Sequence, residues 1–421
     1  MVKVISILTF CCKCIRALTF ENIPSSSSPP LLSSPSFLSS ASLPGFFDFP
    51  IRYNGCYTGP AAGVNGCAEE DVLAPVGSLT PANPGWPSSL VQELPHPDDV
   101  HVHASTARKK RILARIGLAL ENASFATHDA EALAAAALQL PWAMANLVMA
   151  CLFPTAKRNI GGAFSSCFMP KGRTLIKSPF SPSTAAANLA RTFHNVGCTS
   201  NFARIVLVCG HGSRTVNNPF DAAHNCGACG GREGGPNARL VAYHANSAEV
   251  RQILAETHKI FIPGDTWFVG AFHDTSSDLV EMSDIEACPE SHIETLKAVQ
   301  AVLLEARGRS ALERCSKFMK AQHISTTESA LSHVMTRSTD LGEARPELGH
   351  ATNASVIVGR RELTKGLFLA RRAFCPSYDP LNDDENGTFL ERVIAPALIV
   401  VSGISLEYLF STVEGGAGTK V

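Results

Sequence analysis

His211 and Cys226 stand fifteen positions apart in surroundings suited to gripping a metal ion. His211 lies in Gly210-His211-Gly212-Ser213, directly after an apolar run at 203–209 (Ala-Arg-Ile-Val-Leu-Val-Cys). Cys226 lies in Asn225-Cys226-Gly227-Ala228-Cys229-Gly230-Gly231. Neutral imidazole and thiolate are zinc ligands, and a catalytic zinc keeps one position for water. The run at 203–209 reads as a buried strand that breaks at Gly210. The glycines around both residues let the following loop turn sharply and bring its backbone close to a metal. Other readings stay open. A histidine after a strand also serves as a hydrogen-bonded loop residue. Cys226 and Cys229 have the spacing of a redox pair or of half a structural zinc knuckle. The glycine cluster lacks the Gly-Lys-Ser/Thr ending of a phosphate loop.

A second strand-like run, at 2–10, also ends in ligand-type residues: Cys11-Cys12-Lys13-Cys14-Ile15-Arg16. In open α/β sheets, sites lie beyond the carboxyl ends of the strands. If the two runs lie side by side, Cys12 and His211 share one pocket and Cys226 returns to it on the glycine loop. Inert thiols or lipidation sites are the alternative for the cysteine cluster.

Four segments must position these residues. Residues 1–23 supply a strand and the first half of the metal site. Residues 24–44 are mostly serine and proline, a composition of disordered linkers. Residues 45–190 are irregular at 54–100, alanine-rich and helical at 104–152, and polar with little periodicity from 154 onward. Residues 191–421 alternate strands with helices, which argues an α/β domain with a mainly parallel sheet and flanking helices. Within it, Asn246 and Glu249 suggest a capping box, and Ile260-Phe261-Ile262 a short strand ended by Pro263-Gly264. A helix is expected over 291–307 with Gly308 as its stop. Val356-Ile357-Val358 and Ala397-Leu398-Ile399-Val400-Val401 are later strand candidates.

Composition narrows the function classes. A hydrophobic fraction of 45% is ample for a core in 421 residues, and 36 basic against 37 acidic residues gives a net charge of −1. A nucleic-acid partner needs a basic face, which this balance does not offer. Fourteen cysteines are too sparse for a disulfide-stapled scaffold and fit a reducing compartment. Residues 1–10 loosely resemble a signal peptide without a cleavage site. The apolar stretches 130–153 and 393–410 are interrupted by polar residues and proline, so both read as buried core.

A denser set of motifs resembles the DabA family, the soluble subunit of the two-component DabA–DabB inorganic-carbon transporter. The set comprises Cys209-Gly210-His211-Gly212-Ser213, Asn217-Asn218-Pro219-Phe220, Cys226-Gly227-Ala228-Cys229-Gly230-Gly231 and Gly234-Gly235-Pro236-Asn237-Ala238-Arg239. Ile262-Pro263, Asp265-Thr266 and His273-Asp274-Thr275-Ser276-Ser277-Asp278 follow, then Arg345-Pro346-Glu347, Asn353-Ala354 and Arg371-Arg372-Ala373-Phe374. Tyr378-Asp379, Ala395-Pro396, Tyr408 and Ser411-Thr412-Val413 continue it, and Gly45-Phe46-Phe47 and Pro50-Ile51-Arg52-Tyr53 fit upstream. The likeness runs in patches over 45–421 and is densest over 192–280.

The resemblance implies a β-carbonic-anhydrase-like core holding Zn2+, peripheral to the cytoplasmic side of a membrane and docked on a cation-conducting DabB-type subunit. It implies hydration of CO2 to bicarbonate by zinc-bound hydroxide, coupled to an ion gradient. The family's ligands are the cysteine and aspartate of a Cys-X-Asp-X-Arg motif, the histidine of Gly-His-Gly-Ser, and the first cysteine of Cys-Gly-Ala-Cys-Gly-Gly. The last two match His211 and Cys226. The first motif matches Cys12-Lys13-Cys14-Ile15-Arg16, with Cys14 where the family has aspartate and without the adjacent Ser-Glu. In the β-type enzyme that aspartate leaves zinc for the arginine and opens the water position. A thiolate at Cys14 would instead close a Cys3His site, the pattern of structural zinc, and suits a non-catalytic scaffold. Arg16 would orient a carboxylate or bicarbonate, and Asp265, His273 and Asp278 are candidates for outer-shell or proton-relay roles. The chain begins almost at the first ligand motif and stops at Gly418-Thr419-Lys420-Val421, so the resemblance also implies a partial chain.

Overall fold

The computed structural model describes residues 2–6, 38–42, 52–53, 90–109, 172–178, 180–195, 197–216, 233–340, 355–364, 366–370 and 372–391. It also describes isolated positions and short runs between 112 and 160, residue 343 and residues 393–394. The chain divides into two compact units. One comprises Met1–Phe49, Phe180–Ser338 and Arg345–Val421; the other comprises Pro50–Pro179 and Thr339–Ala344.

The first unit is built on a five-stranded sheet. Its strands are β1 (Val2–Ser6), β2 (Leu38–Ser42), β6 (Ile205–Gly212), β7 (Trp267–Asp274) and β8 (Leu279–Met282), in the order β2-β1-β6-β7-β8. The β1–β2, β1–β6 and β6–β7 pairs are parallel, and β7–β8 is an antiparallel hairpin. β2 lies inside the serine- and proline-rich stretch read as linker. Its backbone there pairs in parallel with β1 from Val2↔Leu38 to Ser6↔Ser42. This unit also holds a small parallel pair, β9 (Ser355–Val356) with β10 (Ala373–Phe374).

Among the described residues, α-helices flank the sheet. α1 (Pro182–Asn195) begins where Ser181 Oγ accepts the Thr184 amide at 3.2 Å. It buries Ala185, Leu189 and Phe193 at helical spacing, in a stretch where the sequence suggested little periodicity. α2 (Gly235–Ala245) and α3 (Ala248–His258) follow β6. The cap of α3 is Ser247, whose hydroxyl accepts the Val250 amide, and not Asn246. Asn246 is occupied otherwise: its amide donates to Phe268 O at 2.8 Å and accepts from Phe268 N at 2.9 Å. It thus stands in for a strand partner at the start of β7.

The strand expected at 260–262 is displaced as well. Ile260 and Ile262 are buried but irregular, and Thr266 N closes a turn on Pro263 O before β7 begins at Trp267. α4 (Ile293–Cys315) runs straight through the expected stop at Gly308. A Cβ at Gly308 would lie 3.1 Å from Thr327 Cβ, so this glycine permits close packing of α4 on α5 (Thr327–Arg337). The strand candidate at 397–401 lies outside the described residues. So does most of the stretches 130–153 and 393–410, but Leu140, Met144, Leu147, Leu152 and Phe153 of the first are exposed and not the buried core expected there. Among the described residues no helix is long and apolar enough to cross a membrane.

The two faces of the sheet are covered differently. Ile205, Leu207 and Cys209 of β6 and Val269 and Ala271 of β7 pack with Leu296, Val299, Leu303 and Ala306 of α4. Side chains alternate faces along a strand, so the opposite face carries Gly210 and Gly270 toward α2. A Cβ at Gly270 would stand 2.6 Å from Arg239 Cα and 3.0 Å from Arg239 N. Arg239 is clamped in turn, with Nε and Nη2 each 2.6 Å from a carboxylate oxygen of Asp284.

The second unit holds a three-stranded sheet, β3 (Arg52–Tyr53), β4 (Leu90–Pro95) and β5 (Thr174–Lys177), in that order. β3–β4 is parallel and β4–β5 antiparallel. β4 and β5 form in stretches read as irregular. Beyond them, Asp99 Oδ2 accepts from Arg173 N at 2.8 Å and from its Nε at 2.9 Å, a local tie that sequence spacing does not reveal.

The backbone contact at Gly270 yields the first prediction. Gly270→Ala should lower unfolding free energy by about 1–3 kcal/mol, the cost of forcing a group into a packed core. A denaturant midpoint equal to wild type would contradict the tight α2–β7 approach.

Candidate functional site

β6 does not break at Gly210. The strand continues through Gly212 because β7 offers partners to its end, from Ile205↔Trp267 through His211↔His273 to Gly212↔Asp274. A Cβ at Gly210 would fall on the Gly234 carbonyl, so glycine is what lets the start of α2 lie against the strand. Gly234 N then donates to His211 O at 2.7 Å. His211 is therefore the last inward residue of a strand and not part of a loop. It continues the row Ile205, Leu207 and Cys209, on the face that α4 covers.

At this carboxyl edge the apolar face turns polar. His211 is 2% exposed and its cross-strand neighbour His273 is fully buried. His273 Nε2 lies 3.0 Å from Asp278 Oδ1. The other oxygen of Asp278 accepts from Ser310 Oγ at 2.5 Å and pairs with Arg314 Nη2 at 2.9 Å. Arg314 Nη1 also donates to Ser276 O at 3.1 Å. Asp274 braces the β7–β8 connection, accepting from Arg214 N at 3.0 Å, Ser276 N at 3.1 Å and Ser277 Oγ at 2.5 Å. Asp278 adopts φ 55°, the left-handed conformation that turns its carboxylate inward at the end of the connection.

Electrostatics follow from burial. Loss of hydration, helped by nearby His273, lowers the His211 pKa to about 3, so the ring is neutral across physiological pH. A neutral imidazole is the form that binds a metal. Burial pushes the Cys209 thiol up to about 12, so the cysteine beneath His211 is an inert part of the core. Among the described residues, no group of three or more His, Cys, Asp or Glu side chains gathers as if for a metal.

The expected residues divide into three sets. His211 stands at the carboxyl edge, with His273 and Asp278 in contact with each other beside it. Cys226, Cys12, Cys14 and Arg16 lie outside the described residues. β1 is parallel to β6 and pairs Ser6 with Cys209, so the carboxyl end of β1 faces the same edge as His211. Gly234, which follows the segment bearing Cys226, is bonded at that edge too. Asp265 is the exception. It is exposed in the turn before β7, with its carbonyl accepting from His292 Nε2 at 2.7 Å. Seven residues of nearly extended chain lie between it and His273, a rise of roughly 25 Å at ~3.3 Å per residue step. The turn thus puts Asp265 at the opposite edge from His211, and a role beside that histidine is withdrawn.

Ser310 and Arg314 were not anticipated, because the helix bearing them was expected to end at Gly308. One signal was present. Leu296, Val299, Leu303, Ala306, Ser310 and Arg314 form a single helical stripe whose last two members are polar.

Two predictions test this edge. Arg314→Met leaves the Asp278 carboxylate buried without its cation and should cost about 3–5 kcal/mol in chemical denaturation. The second concerns acid. His211, and His244 with its pKa lowered to about 4 by burial, are both held below the ordinary 6.5. The unfolded chain therefore binds protons that the fold refuses as pH falls below 6.5. Stability is whole above pH 6.5 and declines toward the folded values, by up to about 1.4 kcal/mol per pH unit for each ring. His211→Gln should flatten that slope in metal-free protein; an unchanged slope between pH 7 and 5 would refute the assignment.

The chain is 40% identical over 399 residues to the Sorangium cellulosum (strain So ce56) protein named probable inorganic carbon transporter subunit DabA 1. That match covers 90% of this chain and 36% of the relative. A Methylococcus capsulatus relative of corresponding name is 36% identical over 396 residues, covering 90% of this chain and 35% of its own. One from Rhodopirellula baltica is 46% identical over 236 residues, 55% of this chain and 22% of the relative. The chain thus spans about a third of the length of the first two relatives. No solved structure matches it. The family model described as probable inorganic carbon transporter subunit DabA matches residues 38–421, and the chain belongs to that family.

Proposed function

We propose that this chain is a zinc-binding subunit of an inorganic-carbon uptake system that hydrates CO2 to bicarbonate. The observation that carries the reading is the family match over residues 38–421, together with the transporter-subunit names of its relatives. His211, Cys226, Cys12 and Cys14 would hold the zinc, and Arg16 would orient a carboxylate or bicarbonate. The buried, neutral His211 is a fitting donor. The parallel β1–β6 pairing supports the union of the two ligand motifs. A β-carbonic-anhydrase-like α/β core with a mainly parallel sheet is part of the same proposal.

When bound, zinc supplies a Lewis acid that makes water nucleophilic near neutral pH. The chain's own contribution is to present a neutral imidazole from a rigid strand and to cover the apolar side of that strand with α4. In hydration the water oxygen bonds to the CO2 carbon, one C–O π bond opens, and a proton leaves to solvent. The partner in this reading is a membrane cation-conducting DabB-type subunit, with this chain peripheral on the cytoplasmic side.

Cys14 favours a second reading. Three thiolates and one imidazole fill the coordination of zinc, which suits a non-catalytic scaffold stapled by metal. The test combines metal content with turnover. One zinc per chain is expected in wild type, with loss in Cys226→Ser. Cys14→Asp should raise CO2 hydration at least about tenfold, since it restores a displaceable ligand. A zinc-loaded, folded Cys14→Asp protein without added activity would favour the scaffold. Wild type without zinc would overturn both readings.

A further inference from the structure

We infer that His273 is a positioning residue for His211, fixed by a buried chain through Asp278, Ser310 and Arg314. This deepens the zinc reading and rests on His211 being a metal ligand. A strand fixes where an imidazole starts but not how its ring is turned, because the torsion joining the ring to Cβ is broad. Something beside His211 must limit that rotation if its nitrogen is to meet a metal.

The neighbour in register is His273, on the next strand and the same face. Adjacent strands lie about 4.8 Å apart, so the two residues are immediate neighbours across the ladder. His273 is itself held. Its Nε2 is tied to Asp278 Oδ1 at 3.0 Å, and Asp278 is tied to Ser310 at 2.5 Å and Arg314 at 2.9 Å. His273, Asp278, Ser310 and Arg314 are each at most 1% exposed. A buried ion pair stabilises a fold no better than well-packed apolar side chains would. What it adds is direction, since a carboxylate with three partners cannot turn. The chain runs from α4 through the β7–β8 connection to His273 on β7, the residue paired in register with His211. Outer groups that orient a ligating imidazole act on metal affinity as well as on activity.

The test uses the full chain, stripped of metal, with zinc affinity measured by chelator competition and ligand geometry by Co2+ visible absorption. His273→Phe keeps a ring but loses the tie to Asp278; His273→Gln keeps a donor near the place of Nε2. His273→Phe should weaken zinc about tenfold and shift the Co2+ bands, while His273→Gln stays within about threefold of wild type. A merely structural role would lower the melting temperature of the metal-free protein and leave affinity and bands alone. Should His273→Phe fail to fold, Ser310→Ala removes one tie on Asp278 and should weaken zinc about threefold. Wild-type affinity and bands in His273→Phe and Ser310→Ala, or equal losses in His273→Phe and His273→Gln, overturn the inference. If wild type itself takes up no zinc, or His211→Ala takes it up unchanged, the failure lies in the zinc reading instead.

Discussion

The parallel register between β6 and β7, held over eight residue pairs, is the constraint on which the rest of the site depends. A strand alternates its side chains, so one choice of register decides which residues meet under α4 and which meet under α2. With Ile205 opposite Trp267, the odd positions of both strands form a common apolar face that ends in His211 and His273. A slip of one residue would send both histidines to the α2 side. There Gly210 and Gly270 leave space only for helix backbone. Glycines on one face and histidines on the other are therefore two consequences of the same pairing.

α4 carries that pattern to the sheet edge. Its stripe is apolar over Leu296, Val299, Leu303 and Ala306, where it crosses the middle of the strands. It becomes Ser310 and Arg314 where the strands end. Burying each large apolar side chain contributes about 1.5–3 kcal/mol, and the polar end draws on that stability. Arg314 and Asp278 would each be costly as an isolated buried charge, and each compensates the other. The β7–β8 connection closes the arrangement, with Asp274 gathering nearby amides and hydroxyls so that Asp278 can point inward.

Much of this edge was legible in residue types. The Gly-His-Gly-Ser and His-Asp-Thr-Ser-Ser-Asp motifs were visible, and so was the chance that two apolar runs lie side by side. The lengths of elements were not. Gly210 and Gly308 read as breaks because glycine disfavours regular structure locally. In the fold each sits at a close crossing, against Gly234 and Thr327, and the packing gained there outweighs the local cost. Ending α4 at Gly308 removed Ser310 and Arg314 from view, and with them the reason Asp278 is buried. Asp265 failed for a related cause. It was grouped with His273 and Asp278 as an outer-shell candidate, but the extended strand between it and His273 carries the two to opposite edges.

Composition and local pattern alone determined that this chain has the apolar content for a core and carries imidazole and thiolate groups in glycine-rich settings. They also determined its family, because a family's motifs persist in residue order whatever the backbone does between them. Only the tertiary structure decided that His211 ends a strand, that His273 is its neighbour, and that an arginine a hundred residues onward anchors the pair. Cross-strand register and helix stripes bring together residues distant in sequence, and such pairings are set by burial over whole elements. No local spacing encodes them.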